Sequence, residues 1–105
     1  MDLIPFTYNW NNKLNCSAFT TIRIYNQTKH YVGNRVEITL KGSNEKRFGT
    51  IMAVKPFLLH HLTPFMSYLD TGYSVGECQK IISKMYPTID LAKKQFAFIL
   101  ILKDK

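Results

Sequence analysis

Seven consecutive apolar residues, Phe96-Ala97-Phe98-Ile99-Leu100-Ile101-Leu102, constrain this chain more than any other stretch. A short, uninterrupted run rich in β formers predicts a strand covered on both faces. Other segments read as its partners. Leu3 to Tyr8 reads as a first strand, with Pro5 suited to a sheet edge or bulge. Phe19 to Tyr25 is a strand of β-branched residues carrying one charge. Arg35-Val36-Glu37-Ile38-Thr39-Leu40 alternates cleanly, and a glycine-containing turn, 41–46, returns the chain into a partner strand from Arg47 to Val54. Lys55-Pro56 is expected to end that strand, because proline cannot continue a ladder.

Two helices follow. Thr63 as N-cap and Pro64 at the first helical position open a short one that ends by Asp70-Thr71-Gly72. Ser74 with Glu77 three residues on has the capping-box spacing, and Val75, Cys78, Ile81, Ile82 and Met85 make an apolar stripe that Pro87 stops. The sum is an α+β chain, mainly β: residues 1–105 as one domain, a small β-barrel of five to six strands, mostly antiparallel, with two helices packed on it.

The Phe19–Tyr25 strand carries the most unusual surface. Alternation places Thr20, Ile22 and Ile24 on one face and Thr21, Arg23 and Tyr25 on the other. The first face suits a core. The second gathers a hydroxyl, a guanidinium and a phenol, which suggests the floor of a cleft, since a desolvated arginine needs a carboxylate, carbonyl or phosphate. The structural alternatives are a strand face that meets water, or an Arg23 paired with Glu37 or Asp70. Trp10, the only tryptophan, lies in an asparagine-rich loop where it either anchors core or stacks on a base, and Lys29 lies in the polar loop 26–31.

Fourteen Lys and Arg against seven Asp and Glu give a net charge of +7, which favours polyanions or an anionic ligand. Arg47 with Phe48 offers a further basic-aromatic pair, although Phe48 is expected in the core. The two cysteines, Cys16 and Cys78, form no CxxC pair and read as free thiols, with Cys78 buried on the helix stripe. No apolar run reaches the ~18 residues of a membrane span, and the N-terminus lacks the pattern of a signal peptide, so a cytoplasmic protein without membrane contact is expected. There is no GxSxG, no HExxH and no glycine-rich phosphate loop. His60 and His61 are adjacent, so on a strand they would point apart; no metal site and no cofactor are expected.

Thr21-Ile22-Arg23, then Val32-Gly33-Asn34 opening a strand, then a capped helix ending Tyr86-Pro87, then a final aromatic-aliphatic strand together resemble the ASCH domain family, nearly the whole chain in order. The resemblance implies a PUA-like β-barrel with a cleft, lined by the Thr21-Ile22-Arg23 segment, that binds RNA or a nucleoside-like ligand. Some members are similar to a small bacterial amidohydrolase that deacetylates acetylcytidine. There the family pattern uses a nucleophilic threonine, a lysine three residues before it and a glutamate before the long helix. Thr21 matches the threonine. Ala18 stands at the lysine position and Thr71 at or near the glutamate position, with the shorter Asp70 one residue off; Gly33-Asn34 replaces the usual glycine-aspartate. Alanine cannot activate a threonine hydroxyl, and no spacing argues for Lys13 or Lys29 in its stead.

The expected function is therefore RNA or nucleoside-ligand binding, with Thr21, Arg23, Tyr25, Lys29 and Trp10 as candidate contacts. One alternative is an amidohydrolase acting on a modified nucleoside with Thr21 as nucleophile. A second is a protein-interaction module using an exposed sheet edge; no residue pattern fixes an oligomeric state.

Overall fold

The computed structural model describes residues 1–90 and 93–104. Five strands, β1 (Asp2–Phe6), β2 (Ala18–Ile24), β3 (Arg35–Leu40), β4 (Arg47–Leu58) and β5 (Gln95–Lys103), form one sheet in the order β1-β3-β4-β5-β2. Helices α1 (Pro64–Thr71) and α2 (Val75–Met85) connect β4 to β5, and 3-10 turns cover Trp10–Asn15 and Leu59–His61. The chain is thus α+β and mainly strand, its sheet curled into a half-barrel. The pairing is mixed: β1 runs parallel to β3, and the other pairs are antiparallel.

The apolar run explains the arrangement. β5 is paired along its length by β2 on one side and β4 on the other. Its cover is less complete than expected. Phe96, Ala97, Ile99 and Ile101 are buried, but Leu100 and Leu102 alternate outward and stay 37% and 46% exposed. The helices reach only its first half, where Phe96 joins Ile22, Phe57, Leu62, Met66, Cys78 and Ile82 in a layer between sheet and helices. The other face closes around Ile4, Phe6, Leu14, Phe19, Val36, Ile38, Ile51, Ala97, Ile99 and Ile101 inside the half-barrel.

Two prolines lie within strands. Pro56 does not end β4, which continues to Leu58 with Pro56 opposite Ala97. The reason is local: β3 pairs only with Arg47–Thr50, so beyond that point β4 has a partner on one side, where a missing N–H is tolerated. Pro5 sits likewise in the edge strand β1. A register shift between Ile51 and Ala53 inserts Met52 as a bulge, which bends β4 and helps to curl the sheet. Phe48 is 37% exposed and not in the core, because it alternates with the buried Gly49 on β4.

Both helix starts follow the sequence pattern. Thr63 Oγ1 accepts from the Met66 N–H at 3.2 Å, and Ser74 Oγ from the Glu77 N–H at 3.4 Å. Gly72 closes α1 in the left-handed conformation at φ 80°. Of the α2 stripe, Cys78 and Ile82 are buried, whereas Met85 is 49% exposed at the end of the helix. Cys16 is exposed, and both cysteines are free. Among the described residues no helix is long and apolar enough to cross a membrane.

Candidate functional site

The two edges of the curled sheet, β1 and β2, approach each other through side chains. Phe6 meets Phe19 edge-on at 5.9 Å, and the Arg23 guanidinium lies over the Phe6 ring at 4.5 Å. The seam between them opens into a narrow cleft of about 70 Å³. Phe6, Thr7 and Tyr8 wall it on one side, Thr21, Ile22 and Arg23 on another, and Ile81, Met85 and Tyr86 at the end of α2 on a third. Ile81 and Met85 therefore serve the cleft, Cys78 serves the core, and Ile82 touches both.

Both faces of β2 are covered. Ile22, 7% exposed, packs under the helices as expected. Thr20 shares that face, and its Oγ1 is buried with no hydrogen-bond partner among the described residues. Thr21 is buried on the opposite face, and its Oγ1 accepts a hydrogen bond from Arg23 Nε at 3.1 Å. The two carboxylates that could have paired with Arg23 are engaged elsewhere: Glu37 with Lys46 at 3.7 Å, Asp70 with Lys13 at 2.5 Å. Burial lowers the Arg23 pKa, with Tyr86 and Asp70 acting in the other direction; a guanidinium stays charged regardless. The floor of the cleft is thus a half-buried cation with no carboxylate in ion-pairing contact among the described residues.

Lys13 and Asp70 are the site residues least visible in the sequence. The Asn-rich loop delivers the lysine. Asn9 Oδ1 accepts from the Leu14 N–H at 2.9 Å, Asn12 Oδ1 accepts from the Asn15 amide at 2.6 Å, and Asn11 and Asn12 adopt left-handed φ of 56° and 54°. Leu14 is wholly buried and pins the loop, so Lys13 points inward beside it. Its Nζ donates to Asp70 Oδ1 at 2.5 Å and to the Asp70 carbonyl oxygen at 2.9 Å. Burial pushes the Lys13 pKa down and the Asp70 pKa up, and their mutual attraction opposes both shifts. One sequence signal does exist. An aspartate in the last turn of a helix opposes the helix dipole and needs a cation.

Trp10 sits at the rim of the cleft, half-buried, with Tyr8 at 4.8 Å and Tyr73 at 6.1 Å. Thr21, Arg23 and Trp10 therefore share one cleft with Lys13 and Asp70. Tyr25 and Lys29 do not line it. They line an open groove on the far side of Arg23, and Tyr25 packs partly into the half-barrel core. Ala18 is exposed at the start of β2 and also lies outside the cleft. His60 and His61 occupy a 3-10 turn, not a strand, so their rings lie side by side at 4.1 Å. Among the described residues no three His, Cys, Asp or Glu side chains gather as metal ligands.

Comparison with protein-family models, with curated proteins and with solved structures finds no match.

Proposed function

We propose that the chain is an ASCH-like, PUA-like module that binds RNA or a nucleoside-like ligand in the cleft between β1 and β2. The observation that carries this reading is Arg23: a guanidinium on the cleft floor, stacked on Phe6 and bonded to Thr21, with no carboxylate paired to it among the described residues. A cation held in that way is a donor for a phosphate or for a base carbonyl. A closed cavity of about 150 Å³ takes one benzene ring. A cleft of about 70 Å³ therefore admits the edge of a base, with Trp10 and Tyr8 at the rim as stacking surfaces. The net charge of +7 supports a polyanionic partner.

Binding of short single-stranded RNA, followed across a salt series, tests the proposal. If ~3 phosphates are neutralised, log K falls with log salt at a slope near −2. Affinity that does not change with salt removes the electrostatic half of the reading.

One observation favours a second reading, an amidohydrolase acting on a modified nucleoside. A lysine and a carboxylate do reach the cleft that holds Thr21, although from Lys13 and Asp70 and not from the positions of Ala18 and Thr71. The hydrogen bonds favour binding. Lys13 gives two of its N–H groups to Asp70, and the Thr21 hydroxyl accepts from Arg23.

A further inference from the structure

Arg23 lines two cavities. Beyond the narrow cleft, an open groove of about 670 Å³ shares Pro5, Arg23 and Tyr86 with it and continues along the loop Asn26–His30. The two spaces differ in chemistry. The cleft contains a carboxylate, Asp70, already neutralised by Lys13. The groove is lined by two cations, Arg23 and Lys29, together with His30 and the exposed polar residues Asn26, Gln27 and Thr28, and by no carboxylate among the described residues.

The loop that carries the groove is fixed in shape. Asn26 Oδ1 accepts from the Thr28 N–H at 3.0 Å and from the Thr28 hydroxyl at 2.6 Å, and the Asn26 carbonyl accepts from the His30 N–H at 2.7 Å. His30 Nδ1 accepts from the Asn26 N–H at 3.0 Å, so the ring proton sits on Nε2. Lys29 Nζ donates to the Leu3 carbonyl oxygen at 3.1 Å, which uses one of its three donors. A positive, preformed groove beside a cleft too small for more than the edge of a base calls for a ligand with an anionic end.

We infer that this groove is a phosphate subsite and that the chain takes a nucleotide in preference to a neutral nucleoside. The base edge enters the cleft, and the phosphate lies across Arg23 toward Lys29. The inference rests on the binding reading above and adds the class of ligand. Two sources carry the same chemistry, a free nucleoside monophosphate and a phosphodiester within an RNA strand.

Quenching of the single tryptophan, Trp10, at the cleft rim provides the signal. The probes are cytidine, uridine, adenosine and guanosine, their 5′- and 3′-monophosphates, and trinucleotides of the same bases. The expected result is that the best nucleoside gains at least ~10-fold in affinity from a phosphate at one of the two positions, about the value of one charge-assisted hydrogen bond. Lys29→Ala should reduce that gain while leaving the affinity of the parent nucleoside unchanged. Gln27→Glu, an exposed position, should abolish the gain by placing a negative charge in the groove. A trinucleotide that binds tighter than the monophosphate identifies the strand as the source, and the reverse order identifies a free nucleotide. Nucleoside and monophosphate binding with equal affinity overturns the subsite and leaves the binding reading intact. Loss of nucleoside and nucleotide affinity in equal measure on Lys29→Ala overturns it too. No binding of any probe overturns both.

Discussion

Lys13 and Asp70 stand 57 positions apart, yet the Lys13 ammonium rests on the Asp70 carboxylate at 2.5 Å and on its backbone carbonyl at 2.9 Å. Both side chains are almost fully buried, at 5% and 10% exposure. The contact ties the Asn-rich loop to the end of α1, and it also places a cation where the helix dipole favours one. The Ile22 backbone N–H on the edge strand β2 also acts to lower the Asp70 pKa, against the larger effect of burial. One ion pair thus joins loop and helix at the cleft.

Removing one partner of a buried pair leaves the other charge without compensation. Lys13→Met should therefore cost ~3–5 kcal/mol of stability. Adding Asp70→Asn removes the stranded charge, so the double variant should be more stable than Lys13→Met alone. Denaturant unfolding of both single variants and the double gives the coupling. A Lys13→Met loss below ~1 kcal/mol would mean that the pair is open to solvent.

Arg23 and Ile22 separate binding from stability on one strand. Arg23 has no carboxylate paired to it among the described residues, so Arg23→Ala should weaken ligand binding and change the melting temperature little. Ile22 sits in the layer under the helices, and truncating it to alanine should cost ~2–5 kcal/mol. Melting curves and RNA titrations on both variants check this. A large melting loss for Arg23→Ala without a binding loss would make it a structural arginine.

Much of this fold is legible where local chemistry decides. The β3–β4 hairpin, the two capped helices and the burial of Ile22 follow from alternation, capping residues and one αL glycine, which are properties of neighbours in sequence. What escapes is set by tertiary partners. Pro56 reads as a strand end because the one-sided pairing of β4 depends on where β3 stops. The parallel β1–β3 pair leaves no mark on either segment. In the cleft, Thr21, Arg23 and Trp10 are visible as residue types, but Lys13 and Asp70 meet only after the loop and the helix have packed on β2. Tyr25 shows the converse: it follows Arg23 in alternation, yet the inward face of β2 has by then reached the half-barrel core, and the ring packs there.

Acetylcytidine hydrolysis distinguishes the binding reading from the hydrolase one. Lys13 is a donor in both of its hydrogen bonds, and the Thr21 hydroxyl accepts from a guanidinium, so neither is set up as base or nucleophile. Lost acid–base assistance is worth ~10²–10⁴-fold, and no useful turnover is expected. Product formation that disappears in both Thr21→Ala and Lys13→Met would make the two residues catalytic and favour the hydrolase.

His30 should give the fold a pH dependence of definite sign. Burial holds its pKa below the ordinary value, Lys29 and Arg23 push the same way, and Asp2 opposes them. Its Nδ1 accepts the Asn26 N–H, which an imidazolium cannot do. The native state therefore binds fewer protons at this ring than the unfolded chain does. The resulting stability is fully present above about pH 6.5 and is lost as the pH falls through the depressed native value. The exposed Asp104, whose pKa is lowered by its hydrogen bond to Arg35, acts in the same direction but only in the carboxylate range near pH 4. The His30 contribution should thus appear as a decline in melting temperature once the pH falls below about 6.5, while the raised pKa of Asp70 acts with the opposite sign at lower pH. In His30→Asn the amide oxygen takes the place of Nδ1 as acceptor and does not titrate, so the decline should flatten. An unchanged slope in His30→Asn would move the pH dependence to other groups.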